Sequence, residues 1–185
     1  KRGLRFMKRR SLLYISHFWG TDLTECQIDF SCDRYLARHH DAYFRGITIQ
    51  ANLHIIYRWI CQLRTETFSY GFKGLDLPGR EPEEIRLGQE AMGMFEIVDF
   101  EPNRYLTIRI KQRSLAARIY GQVAVSYMIL PKSDERCRLL VKILIRYPKV
   151  LGLLTRWMLP WGDLIMMRKQ LLNFKKLAER TQRGE

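Results

Sequence analysis

From Phe44 to Gln50 the chain reads Phe-Arg-Gly-Ile-Thr-Ile-Gln, with Ile47 and Ile49 alternating against Thr48 and Gln50, the two-residue period of a half-buried strand. The period then changes. Behind Asn52, a side chain suited to capping a helix, Leu53, Ile56, Tyr57, Ile60 and Leu63 recur at helical spacing and predict an amphipathic helix. Residues 71–86 carry Gly74, Pro78, Gly79 and Pro82 among four acidic residues, the composition of a surface loop long enough to act as a lid. Three strands are predicted next, at residues 92–100, 105–111 and 120–130, with turn chemistry at Glu101-Pro-Asn103 and at Pro131-Lys-Ser-Asp134. A fourth follows at residues 137–147, where Leu139, Val141, Ile143 and Ile145 share one face and Arg138, Lys142 and Arg146 the other, the pattern of a sheet wet on one side. Over residues 163–180, Leu164, Met167, Leu171, Phe174 and Ala178 form one apolar stripe, with Arg168, Lys169, Lys175 and Lys176 off it, which predicts a long helix that covers the sheet.

A strand, a helix, a run of antiparallel strands and a closing helix make an α+β layer fold. A chain of 185 residues with 46% hydrophobic and 28% charged positions is long enough and apolar enough to bury one core. The expected organisation is a basic N-terminal extension over residues 1–43, a domain over 44–181 and a short tail over 182–185. No apolar run reaches the length needed to span a bilayer, because Arg156, Pro160 and Asp163 interrupt the best window, residues 150–167. Lys1, Arg2, Arg5, Lys8, Arg9 and Arg10 precede the apolar Leu12, Leu13, Tyr14 and Ile15, an order that mimics a signal peptide, but the apolar stretch is too short for one and no cleavage site follows. The expected location is therefore cytoplasmic, with peripheral membrane contact.

Certain stretches carry a resemblance: Arg45-Gly-Ile-Thr-Ile-Gln-Ala51 leading into Tyr57-Arg-Trp-Ile-Cys-Gln-Leu63, then Phe68-Ser-Tyr70, and Gly162-Asp-Leu-Ile-Met-Met-Arg168. In these, and in the order of its elements, the chain from Arg45 to Arg180 resembles the SRPBCC superfamily, the START-like or helix-grip fold of lipid-transfer domains, plant ligand carriers and polyketide cyclases, and most of all its uncharacterised bacterial branch. The resemblance implies a curved antiparallel sheet wrapped around the C-terminal helix, with an internal cavity between them. It implies binding, and by extension transport, of a hydrophobic small molecule such as a lipid, polyketide or terpenoid. The alternative is a cofactor-independent cyclase or aromatase acting on a polyketide-like intermediate in the same cavity. A third class is an interaction module whose cavity is filled by its own side chains.

The candidate lining residues are Tyr70, Phe72, Trp157 and Trp161, whose rings could clasp a flat apolar ligand, together with Tyr127, Leu164, Met167 and Leu171. Met166 is a further flexible candidate beside Met167. Glu96 and Arg109, set in apolar strands, could meet across neighbouring strands, either in the pocket or on the solvent face. For an enzyme, Glu96 would serve as base and Tyr70 or Tyr127 as proton donor. His54, His39 and His40 read as satisfied or exposed histidines, so no metal and no cofactor is expected. Cys26, Cys32, Cys61 and Cys137 have no zinc-like spacing, and whether Cys26 and Cys32 pair is left open. Phosphate-loop, dinucleotide and α/β-hydrolase motifs are absent from the sequence. The net charge of +13 favours anionic surroundings, and the expected partner beside the small molecule is an anionic membrane surface met by residues 1–15 and 147–161, nucleic acid being disfavoured because basicity is the only feature that points to it.

Overall fold

The computed structural model describes residues 16–64, 85–148 and 152–184, apart from the side chains of residues 152–155 and 157. Its strands are β1 (Phe18–Trp19), β2 (Asp41–Ile49), β3 (Glu90–Ala91), β4 (Phe95–Glu101), β5 (Tyr105–Ile110), β6 (Gln122–Ser133) and β7 (Arg136–Arg146). Its helices are α1 (Cys32–Tyr35), α2 (Leu53–Cys61), α3 (Leu115–Tyr120) and α4 (Gly152–Arg183). The strands form one curved sheet in the order β1-β2-β7-β6-β5-β4-β3, antiparallel except for the short β1–β2 pairing.

The two-residue period sorts the sheet into two faces. Tyr43, Ile47, Val125, Ile129, Leu139, Val141 and Ile143 point inward, where Met167, Leu171, Phe174 and Ala178 of α4 and Ile56, Tyr57 and Ile60 of α2 complete the main core. The Asn52 side chain accepts a hydrogen bond from the His54 N–H at 2.9 Å and so starts α2 where the sequence predicts. The other face of the sheet is not wet. Phe44, Ala124, Met128, Leu140 and Leu144 there pack against Phe30, Cys32 and Leu36, contributed by the segment that precedes β2. The cations that make this face look exposed are paired from the same segment: Arg138 with Glu25 at 2.7 Å, and Lys142 with Asp33 at 2.7 Å.

Close backbone approach lets that segment lie down. A Cβ built on Gly20, which has φ of +68°, would sit 2.2 Å from the carbonyl oxygen of Gly46, and one built on Gly46 would meet Thr21 at 2.8 Å. Glycine at both positions lets β1 run against β2 with no side chain between them.

Several boundaries differ from those predicted, each for a local reason. Met92 and Gly93 both adopt positive φ, so the first three residues of the strand predicted at 92–100 form a tight turn after β3, and the rest of it is β4. The Pro131 stretch stays in β6, accommodated by a register shift between Pro131 and Ser133, and the turn falls at residues 134–135. α4 begins at Gly152, eleven residues earlier than the apolar stripe suggests, and passes through Pro160, which has no N–H to donate within the helix. All four cysteines are free thiols, Cys26 and Cys32 included. Among the described residues no helix is long and apolar enough to cross a membrane.

Candidate functional site

The inner face of the sheet is an apolar wall interrupted by a few polar side chains, and these define the site. β2 points Tyr43, Arg45, Ile47 and Ile49 alternately inward, which places a guanidinium in the core register. Arg45 is fully buried. Its Nη2 donates to Asp163 Oδ2 of α4 at 2.8 Å and to the Ser16 carbonyl at 2.8 Å, and its Nη1 donates to the carbonyls of His17 and Phe44 at 2.9 and 3.0 Å. A charge removed from water has to be met in this way. Arg45 thus ties three parts of the chain together: β2, the start of the N-terminal segment and the gripped helix.

Burial dominates the electrostatics of the pair. It pushes the Asp163 carboxyl up to about 6 in spite of the opposing pull of Arg45, and it lowers Arg45 although Asp163 opposes the change. Between about pH 4 and pH 6 the folded protein therefore holds a proton on Asp163 that the unfolded chain releases. The contribution of this group to stability is fully present below that window and declines as pH rises through it. In urea titrations at pH 4, 5, 6 and 7, the stability of the natural protein relative to Asp163→Asn should fall stepwise up to about pH 6 and then level off. A difference that is flat over this range would contradict the assignment.

Beside the pair, the Tyr43 and Tyr147 hydroxyls share a hydrogen bond at 2.6 Å, and Tyr147 donates to Asp41 Oδ2 at 2.8 Å. The His17 ring meets Tyr43 edge-on at 4.8 Å between centroids, and the Arg156 guanidinium approaches Asp41 at 3.7 Å. Further along the groove Tyr127 donates to Gln170 Oε1 at 2.9 Å and stacks edge-on against Phe174 at 6.4 Å. Desolvation pushes the pKa values of Tyr43, Tyr127 and Tyr147 far above the ordinary tyrosine range, so all three stay protonated and act as hydrogen-bond donors.

The candidates named from the sequence divide among several places. Tyr127, Met167 and Leu171 are buried on the inner face or on the side of α4 packed against it, and Trp161 and Leu164 are half-buried on α4. Met166 points outward and is 60% exposed. Glu96 and Arg109 do meet, as directly opposed residues of β4 and β5 with a 2.7 Å ion pair. They share their face with Tyr105 and Thr107, so they lie on the side of the sheet away from α4. Tyr70 and Phe72 fall outside the described residues, as does the Trp157 side chain. His54 and His39 are exposed, and His40 accepts a hydrogen bond from the Tyr147 N–H at 3.0 Å while its ring stacks on Tyr147.

Asp41, Tyr43, Tyr147 and Gln170 were not singled out by the sequence reading, and Arg45 and Asp163 entered it only inside longer stretches. A signal was present for two of them. An arginine in the register of Ile47 and Ile49, and a glutamine between Met167 and Phe174 on the apolar side of a helix, each require a buried partner.

No protein-family model and no curated protein matches the sequence. Solved structures do match it. A protein from Mesorhizobium loti superimposes with a TM-score of 0.52 at 14% identity, over 76% of this chain and 98% of that one. The norcoclaurine synthase of Thalictrum flavum aligns at 0.48 with 10% identity, and the Zhui aromatase/cyclase of Streptomyces sp. R1128 at 0.48 with 14%, each over 75% of this chain and 93% of its own. The chain has the helix-grip, START-like fold: a curved, mostly antiparallel sheet closed by a long C-terminal helix. Identities this low speak for the fold alone, and chemistry must be argued from the side chains.

Proposed function

We propose that the protein binds a hydrophobic small molecule between the inner face of the sheet and α4. The observation that carries this reading is uneven cover on the inner face. α4 makes its main backbone approach to β2 and α2. Phe95 and Phe100 of β4 and Val123 of β6 share the inner face but remain only partly buried. Large apolar side chains left half-covered inside a concave sheet, with a few fixed polar groups nearby, match the anatomy of a small-molecule site. The implication drawn from the helix-grip resemblance, a cavity between sheet and helix, supports the same reading.

The polar groups favour holding a ligand over transforming it. The inward tyrosines stay protonated, and Tyr127 can turn its one hydrogen from Gln170 to a ligand oxygen, whereas Glu96, the candidate base, sits on the opposite face. The ligand class is a molecule that is apolar over most of its length and carries a carbonyl, hydroxyl or carboxylate.

Titration with a fluorescent long-chain fatty acid and with a polycyclic aromatic dye tests the proposal. Saturable one-to-one binding of at least one probe is expected. Phe95→Asp places a charge in the half-covered region of the inner face and should weaken that binding by about tenfold or more, since an unpaired carboxylate would have to be desolvated. No binding of either probe, or equal binding by the variant, would defeat the reading.

A further inference from the structure

The outward side of α4 is not what a solvated helix face requires. Met158, Ile165 and Leu172 recur every seven residues, two helical turns apart, and are 56%, 70% and 46% exposed. Met166, 60% exposed, flanks the line, and Trp161 lies half-buried beside it. The same outward line carries Lys169, Lys176 and Arg183, also seven apart, with Arg168 and Arg180 at its borders, all exposed. The acidic residues of α4 are turned elsewhere: Asp163 binds Arg45 inside the molecule, and Glu179 accepts from the Gln50 N–H at 2.9 Å. The helix therefore shows an exposed apolar ridge in its first half and an exposed basic ridge that begins within it and runs to its end.

A second element repeats the combination. α3 exposes Leu115, Ile119 and Tyr120 at 71%, 41% and 40%, with Arg113 and Arg118 exposed around them. It packs where β7 ends, since a Cβ on Gly121 would stand 2.2 Å from the Arg146 carbonyl oxygen. α4 begins at that same end of the sheet, where Arg156 approaches Asp41 at the start of β2.

We propose that the outward face of α4, with α3, docks on an anionic lipid surface. Apolar side chains of a helix lying in the interfacial plane enter the acyl boundary, while the long lysine and arginine stems bring their charges up to the headgroups. Charge complementarity selects this occupant. In a symmetric contact with a second copy, this face of α4 would bring no acidic side chain to Lys169 and Lys176, and on nucleic acid the exposed Met158, Ile165 and Leu172 would gain nothing. The inference rests on the surface of α4 and stands apart from the question of what fills the inner face.

Co-sedimentation of the full chain with vesicles of phosphatidylcholine, alone or with about one third phosphatidylserine, tests it. Binding to the anionic vesicles is expected, with little to the neutral ones and a loss of about tenfold or more in affinity at about 0.5 M salt. The double variant Ile165→Ser with Leu172→Ser, on an exposed face, should lose about tenfold or more in affinity. Lys169→Glu with Lys176→Glu should lose at least as much, and both variants should keep the natural circular dichroism spectrum and unfolding midpoint. Failure to bind anionic vesicles, or unchanged binding by the Ser variant, would overturn the proposal. So would a concentration-dependent dimer in sedimentation velocity that the Ser variant abolishes, because the face would then belong to a second copy.

Discussion

Arg45→Met is expected to cost about 3–5 kcal/mol of stability, the range found when one partner of a buried ion pair is removed. The arginine is the only described group that bonds at once to α4, to β2 and to the carbonyls of Ser16 and His17, so its loss strands a desolvated carboxyl on Asp163 and leaves three carbonyl oxygens without their donor. Methionine approximates the length of the removed stem, which keeps the packing change small and assigns the cost to the unmet polar groups. Urea unfolding of the natural protein, Arg45→Met, Asp163→Leu and the double variant separates the effects. The double variant should recover much of the loss, because an apolar pair in place of an ion pair avoids the desolvation of both charges. A single-variant cost below about 1 kcal/mol would show that Arg45 does not anchor the helix.

The second large effect belongs to the middle of the grip. Phe174 is fully buried on α4 and meets Tyr127 of β6 edge-on, with its ring in the main core. Phe174→Ala should cost about 3–5 kcal/mol, as large-to-small changes at closed core positions do. Because the deleted ring stands between α4 and the sheet, the variant should also accept bulkier hydrophobic probes than the natural protein. Chemical unfolding and the same probe titration check both consequences. A cost under about 1 kcal/mol would mean that the helix is not held there.

Much of the scaffold was legible because periodicity reports which face is buried, and little more. The alternation of Leu139, Val141, Ile143 and Ile145, the capped repeat from Leu53 to Leu63 and the stripe from Met167 to Ala178 each mark an element that packs as its pattern requires. The same pattern misread the outer face of β7. Arg138 and Lys142 look solvated until Glu25 and Asp33, more than a hundred positions earlier, are known to sit over them. Local sequence contains no information about that cover.

The candidate site failed to emerge for a related reason. Asp41, Tyr43, Arg45, Tyr147 and Asp163 are brought together by pairing of β2 with β7 and by the entry of α4, not by any spacing along the chain. Pro160 concealed the first turns of α4 by resembling a helix stop. Glu96 and Arg109 show the limit most plainly. Alternation predicted that they could meet, and they do, yet only the register of β4, β5 and β6 decides on which face. Two of the stretches that carried the resemblance, around Arg45 and around Asp163, contribute the two halves of the buried ion pair.

Native mass spectrometry of the purified protein, with organic extraction and identification of whatever travels with it, tests the central claim most directly. A hydrophobic small molecule carried at one per chain, and released when the protein is denatured, is the predicted result. A chain that flies without any such molecule, and that no member of a hydrophobic library loads or stabilises, would contradict it.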